Sequence, residues 1–218
     1  MIIQYYGDFC FKITTKPGGR ATEDVVLWTD PLPKGAGLRS PQGIPNVLLL
    51  THQRAILEDF KNSTVCLDIP GEYSALNIPF QGFLSYRDNT SGSERGQNTF
   101  FTFDTEDIHI VFLGALGHSP SPEMFDKLSQ IDVLFLPIGG GDTLSIEEAV
   151  DLIHKIEPKI VIPMHYAMNG LTLPGIGDKK AFCEAMGING SAAQAKLTFK
   201  KKDLEDKKAE VIFLERGA

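Results

Sequence analysis

Through the first half of the chain, short apolar or aromatic runs alternate with polar turns. Ile2–Tyr6, Phe9–Thr15, Asp24–Thr29 and Asn46–Thr51 are rich in β-branched and aromatic residues and predict strands. Lys16–Glu23 between two of them is turn chemistry. Thr64–Ile69, Asn77–Leu84, Asn98–Thr105 and Ile108–Gly114 continue the strand pattern. Arg87–Asn98 is a polar loop long enough to suggest a functional role.

The period then lengthens. Ser121–Ile131 predicts a helix, with Ser121 as N-cap and Pro122 at the first helical position. Ser145–Pro158 opens with a capping box, Ser145 and Glu148, and carries an apolar stripe of Ala149, Leu152, Ile153 and Ile156. Lys179–Gly187 predicts a third helix ending on glycine. Between and after these helices, Asp132–Gly140, Lys159–Tyr166, Lys196–Leu204 and Glu210–Glu215 predict strands. Strands early and βα units late predict one α/β domain over residues 1–218, with two sheets and helices outside them.

Composition narrows the function classes. With 218 residues, 42% hydrophobic and 22% charged, the chain is long enough for a sizeable core. The formal net charge of −7 makes nucleic acid an unlikely partner. The one dense basic run, Phe199–Lys208, is broken by Asp203, Glu205 and Asp206. Three scattered cysteines give neither a disulfide framework nor a thiolate metal site. No signal peptide and no apolar run of membrane-spanning length is present, so the expectation is a cytoplasmic protein without a membrane partner.

Five histidines carry the candidate chemistry. His154, on a helix beside Lys155, reads as a surface residue, and His109, inside a strand, reads as structural. His52, His118 and His165 each lie just past a predicted strand, where α/β sheets build their sites. The acidic residues Asp8, Asp30, Glu72 and Asp142 sit in turns or at strand exits, where bonding to turn backbone is the commoner fate of any one of them.

YYGDFCFKI, WTDP, VLLLTH, PGEY, the RDN…RGQNT segment, FLGALGH, PIGGGDTLSIEEA and PKIVIPMHY follow one another along the chain. In this order the chain resembles the metallo-β-lactamase fold superfamily, in particular its UlaG-like metal-dependent hydrolases. The resemblance implies a four-layer αβ/βα sandwich with a site at the junction of the two sheets. It also implies a pair of metal ions held by a His-x-His-x-Asp-His loop, a middle-loop histidine, a Gly-Asp-x-Gly-His turn and the histidine of PMHY.

Carried over position by position, most of those ligands are missing. His52 matches the first histidine, but Arg54, Ile56 and Leu57 stand where a histidine, an aspartate and a histidine belong. Arg87 stands at the middle-loop histidine, Ala115 at the bridging aspartate and Asp8 at a further histidine, while His118 and His165 remain. Arginine stays protonated and does not coordinate, and Ile and Leu have no lone pairs. Neither metal position keeps the three or four ligands that zinc takes. The lost ion charge predicts that Arg54 or Arg87 fills the old cavity and pairs with Asp8, Asp30 or Asp88, Glu72 being a further pocket candidate.

The expectation is a non-catalytic binding or assembly module with no metal cofactor. Its partner would be an unidentified small molecule, an anion or a protein, with homo-oligomerisation left open. The alternative is a hydrolase with an atypical mononuclear or metal-free site. There His52, His118 and His165 would gather around one low-occupancy zinc, or His118 would serve as a general base.

Overall fold

The computed structural model describes residues 1–18, 23–52, 65–173, 175–190 and 193–217. Two sheets form the body. The first contains β1 (Ile2–Gly7), β2 (Cys10–Thr15), β3 (Val25–Thr29), β4 (Val47–Leu49), β5 (Val65–Leu67) and β12 (Leu197–Thr198), in the order β12-β1-β2-β3-β4-β5. The second contains β6 (Gly71–Ala75), β7 (Ile78–Tyr86), β8 (Gln97–Thr105), β9 (Ile108–Phe112), β10 (Val133–Pro137), β11 (Ile160–Met164) and β13 (Glu210–Val211), in the order β13-β11-β10-β9-β8-β7-β6. Among the described residues three α-helices accompany them: α1 (Pro122–Lys127), α2 (Ile146–Ile156) and α3 (Lys179–Met186). This is an α/β sandwich of two mixed sheets.

The sheets share one apolar interior. Phe11 of β2 stacks on Tyr5 of β1 at 4.6 Å between centroids and meets Phe112 of β9 and Phe135 of β10 edge-on, at 6.4 and 4.8 Å. Every residue of β10 and β11 is buried, as parallel strands covered on both faces require. The capping box of α2 forms in both directions between Ser145 and Glu148, and the helix buries Ala149, Leu152 and Ile153.

Several boundaries differ from the sequence reading. The PGEY turn is part of edge strand β6, paired with β7. The first helix stops at Lys127, where Leu128 N–H bonds back to Phe125. The strand expected over Lys196–Leu204 ends at Thr198. There the Asp203 carboxylate accepts the Lys200 N–H and a 3₁₀ turn, Lys201–Leu204, buries Leu204.

Parallel pairing sends the carboxyl ends of β3 and β4, and of β9, β10 and β11, to common rims. The two rims are tied together where Thr99 N–H donates to Thr51 carbonyl at 2.8 Å. Beside this tie, buried Asn98 donates to Leu113 carbonyl (2.9 Å) and Ser85 Oγ (2.8 Å) and accepts from Ala115 N–H (2.9 Å). Ala115 is therefore held by its backbone. The loop leaves no room for a side chain at Gly117, where a Cβ would lie 2.0 Å from Arg87 carbonyl.

Replacing Asn98 by alanine strands Ala115 N–H and Leu113 carbonyl in the interior. The expected loss is about 3 kcal/mol of unfolding free energy, read by urea denaturation. A loss under about 1 kcal/mol would show that this side chain does not hold the rim together.

Candidate functional site

The site is assembled from five segments at the ends of strands. The β1–β2 turn brings Asp8 and Phe9, the end of β4 brings His52, the end of β7 brings Arg87, and the loops after β10 and β11 bring Asp142 and His165. These side chains, with Gly141, Leu173, Gly175 and Ile176, line a cavity of about 440 Å³.

Local backbone explains how the turns converge. Asp8 (φ 54°) and His165 (φ 52°) both adopt left-handed conformations, which few non-glycine residues do. Each is held there by the other: His165 N–H donates to Asp8 carbonyl at 2.9 Å, and His165 Nδ1 bonds Asp8 Oδ1 at 2.6 Å. Tyr5 hydroxyl adds a 3.0 Å bond to the same carbonyl. Phe9 stacks on the His165 ring at 4.4 Å and 11°, and meets the His52 ring edge-on at 5.2 Å.

The charges form a closed set. Arg87 Nη2 pairs with Asp142 Oδ2. Asp142 Oδ1 lies 3.2 Å from His165 Nε2, an ion-pair distance at an angle too poor for a hydrogen bond. Burial alone would lower the pKa of His165, but the Asp142 and Asp8 carboxylates outweigh it and raise the value. His165, with Arg87 beside it, holds the Asp142 carboxyl well below the usual range against the opposing effect of burial. Arg87 and His165 thus face two carboxylates.

His52 is held differently. Thr51 Oγ1 lies 2.7 Å from Asp30 Oδ2 and 2.7 Å from His52 Nδ1, and Thr51 N–H donates to Asp30 Oδ1 at 2.8 Å. A hydroxyl has one proton, so while Asp30 is ionised Thr51 donates to it and accepts from His52 Nδ1–H. Nε2 is then the basic nitrogen of His52. Burial, with the positive field of Arg87, pushes this histidine down to about 3. Burial pushes Asp30 up to about 7, against its bonds from Thr51.

Other sequence candidates lie elsewhere. Asp88 turns into its own loop, accepting from Thr90 N–H and Oγ1 and from the N–H groups of Gly92, Glu94 and Arg95. Burial opposes its ionisation, but these donors hold the carboxyl low. Arg87 therefore pairs with Asp142 rather than with Asp8, Asp30 or Asp88. His118 does not join the other two histidines: Nε2 accepts Tyr86 N–H at 3.3 Å, Nδ1 bonds Ser119 carbonyl at 2.9 Å, and the ring lines a separate, more apolar cleft. With its lone pair already engaged, it does not serve as a base in this cavity. Glu72 stands exposed on edge strand β6, outside the cavity. Arg54, Ile56 and Leu57 lie outside the described residues.

Asp142 is the residue that the sequence undervalued. It follows three glycines, Gly140 and Gly141 in left-handed conformations, and reads locally as the lead-in to α2. Phe9, Leu173 and Ile176 were also missed, because apolar residues in turns carry no chemical signature.

Among the described residues no group of three or more His, Cys, Asp or Glu side chains converges as ligands would. Both nitrogens of His165 face carboxylates, and the Asp142 carboxylate is shared with a guanidinium. A permanent cation stands beside the Asp142 carboxylate. The described residues do not fit a dinuclear metal centre.

A family model described as the beta-lactamase superfamily domain matches residues 2–165. A UPF0173 protein of Pyrococcus abyssi is 30% identical over 194 residues, covering 78% of this chain and 85% of the relative. A Listeria monocytogenes protein named UPF0173 metal-dependent hydrolase is 26% identical over 202 residues, covering 76% and 85%. Among solved structures, a Thermotoga maritima protein provisionally described as a Zn-dependent hydrolase of the metallo-beta-lactamase superfamily superposes with a TM-score of 0.73. It is 24% identical and covers 98% of this chain and 99% of its own. The metallo-beta-lactamase fold protein YhfI of Bacillus subtilis superposes at 0.62 with 8% identity, over 100% and 98%.

The pKa directions fix the pH response. The raised value of His165 contributes stability that is complete below the ordinary histidine value and is lost as pH rises through the folded value. Asp30 acts in the same sense, its contribution falling between the ordinary carboxylate range and about 7. Asp142 acts oppositely, losing its contribution only on acidification through its depressed value. Unfolding free energy is expected to fall as pH rises from the ordinary histidine value through the raised value of His165. Histidine-ring NMR should place His165 above the ordinary value and show His52 neutral from about pH 5 upward. A His165 midpoint at or below about 6.5 would contradict the assignment.

Proposed function

The chain belongs to the beta-lactamase superfamily, and we propose that within it this protein works without the metal pair, as a non-catalytic binding module built on the hydrolase fold. The observation that carries this reading is the position of Arg87. Its guanidinium pairs with Asp142 in the cavity that His52 and His165 also line, and supplies positive charge there. Arginine fits this role because its charge is permanent and its planar fork matches a carboxylate.

What the chain's own residues do follows from that arrangement. Asp8 fixes the His165 ring through Nδ1, and Phe9 clamps it by stacking. Asp142 links Arg87 and His165. Asp30 and Thr51 orient His52 on the opposite wall. Leu173 and Ile176 supply apolar surface to the same cavity. A pocket with apolar walls and a few fixed polar groups is a small-molecule site in its general form.

The second reading is hydrolytic. Relatives are named metal-dependent hydrolases, and His52 presents a neutral imidazole to the cavity. In a metal-free hydrolase His52 would be the general base, although a pKa of about 3 makes it a weak one at neutral pH.

Elemental analysis of protein purified without chelator separates these readings. Zinc, manganese and iron are each expected far below one ion per chain, with a thermal midpoint unmoved by EDTA. A stoichiometric metal lost in His52→Ala or His165→Ala would overturn the proposal.

A further inference from the structure

We propose that the cavity is a monocarboxylate site and that Asp142 occupies its anion position from within the chain. This rests on the metal-free reading above and names the ligand class of the same cavity.

Two buried donors, Arg87 Nε–H and His165 Nε2–H, have no hydrogen-bond partner among the described residues. Arg87 is a permanent cation, and His165, whose side chain is only 4% exposed, is flanked by the Asp8 and Asp142 carboxylates. Buried donors of this kind are costly to leave without an acceptor. Asp142 comes near to satisfying them: one oxygen pairs with Arg87 Nη2, and the other sits 3.2 Å from His165 Nε2 without the alignment a hydrogen bond needs. A carboxylate is thus already placed between Arg87 and His165, imperfectly.

The placement of Asp142 suits an exchangeable occupant. Its side chain is 38% exposed, far more than that of His165, and it hangs from Gly140 and Gly141, whose backbones are free of side-chain restraint. If it swings outward, an incoming carboxylate takes its place charge for charge, and the charge of the set is unchanged. A phosphate dianion would add a surplus charge beside Asp8, which is buried and already committed to His165. Phe9, Leu173 and Ile176 form the apolar side of the cavity, so the acid recognised carries an apolar body. Its volume of about 440 Å³ lies in the range of small-ligand pockets.

Calorimetry on the full EDTA-treated chain tests this with acetate, butanoate and hexanoate, against hexanamide and inorganic phosphate. The acids are expected to bind, with affinity rising about fourfold for each methylene buried. Hexanamide and phosphate are expected to bind at least tenfold more weakly than hexanoate. Arg87→Gln should weaken hexanoate at least tenfold, and Asp142→Asn should tighten it by about the same factor. No binding by any acid, equal binding of phosphate, or affinity independent of chain length would overturn the proposal. Should Arg87→Gln fail to fold, Asp142→Asn decides: hexanoate binding no tighter than that of the native chain would overturn it. Acid binding that appears only after zinc is added would overturn the metal-free reading itself. Absence of acid binding in a protein shown to hold no metal would overturn this inference alone.

Discussion

The contact between Arg87 and Asp142 sets the terms for everything around it. A buried carboxylate needs a cation, and a buried guanidinium needs an acceptor, because removing either from water without a partner is costly. In this chain the half-buried Arg87 and Asp142 pair with each other, with Arg87 Nε–H left over, and His165 and Asp8 extend the pair across the cavity. Asp8 and His165 hold left-handed backbone conformations that the pair between them repays with two hydrogen bonds. The cavity keeps its shape because its charges are mutually satisfied by side chains on four different turns.

The sandwich makes that closure feasible. Parallel pairing delivers strand ends from both sheets to one edge, and Asn98 and the Thr99–Thr51 bond fix the two edges against each other. Tight approaches at Gly117 and Gly114, where a Cβ would lie 2.0 and 2.4 Å from its neighbours, hold the loop bearing Ala115 close to Arg87 and Thr51. The two-sheet scaffold of the superfamily is therefore kept, with Arg87, Asp142, His165 and Asp8 at its rim. That separation of fold from site is why names carried by relatives describe the architecture more securely than the activity.

Much of this was legible in the sequence, and the misses have physical causes. The strand exits at His52 and His165 and the capping box at Ser145 are local patterns, and local patterns survive folding. Arg87 stood out as a charged residue in a cavity loop, but its partner is Asp142 rather than the carboxylates the sequence suggested. Asp88 lies next to it in sequence and yet is consumed by five donors of its own loop. Asp142 looked like a helix lead-in because only the three-dimensional path of the glycine loop turns it toward Arg87. His118 looked equivalent to its two companions until the Tyr86 N–H took its lone pair. Glu72 failed because a turn motif became an exposed edge strand. Contacts between residues far apart in the chain carry no periodicity, and these were the ones that decided the site.

The central claim is that an internal guanidinium–carboxylate pair takes the place of bound metal, and a double-mutant cycle addresses it most directly. Arg87→Gln, Asp142→Asn and the double variant would be unfolded by urea in the presence of EDTA, and the cycle repeated with added zinc. The account predicts a favourable coupling of about 1 kcal/mol or more between the two positions, the same with and without zinc. Zero coupling in EDTA, or a native chain that gains stability on adding zinc, would contradict it.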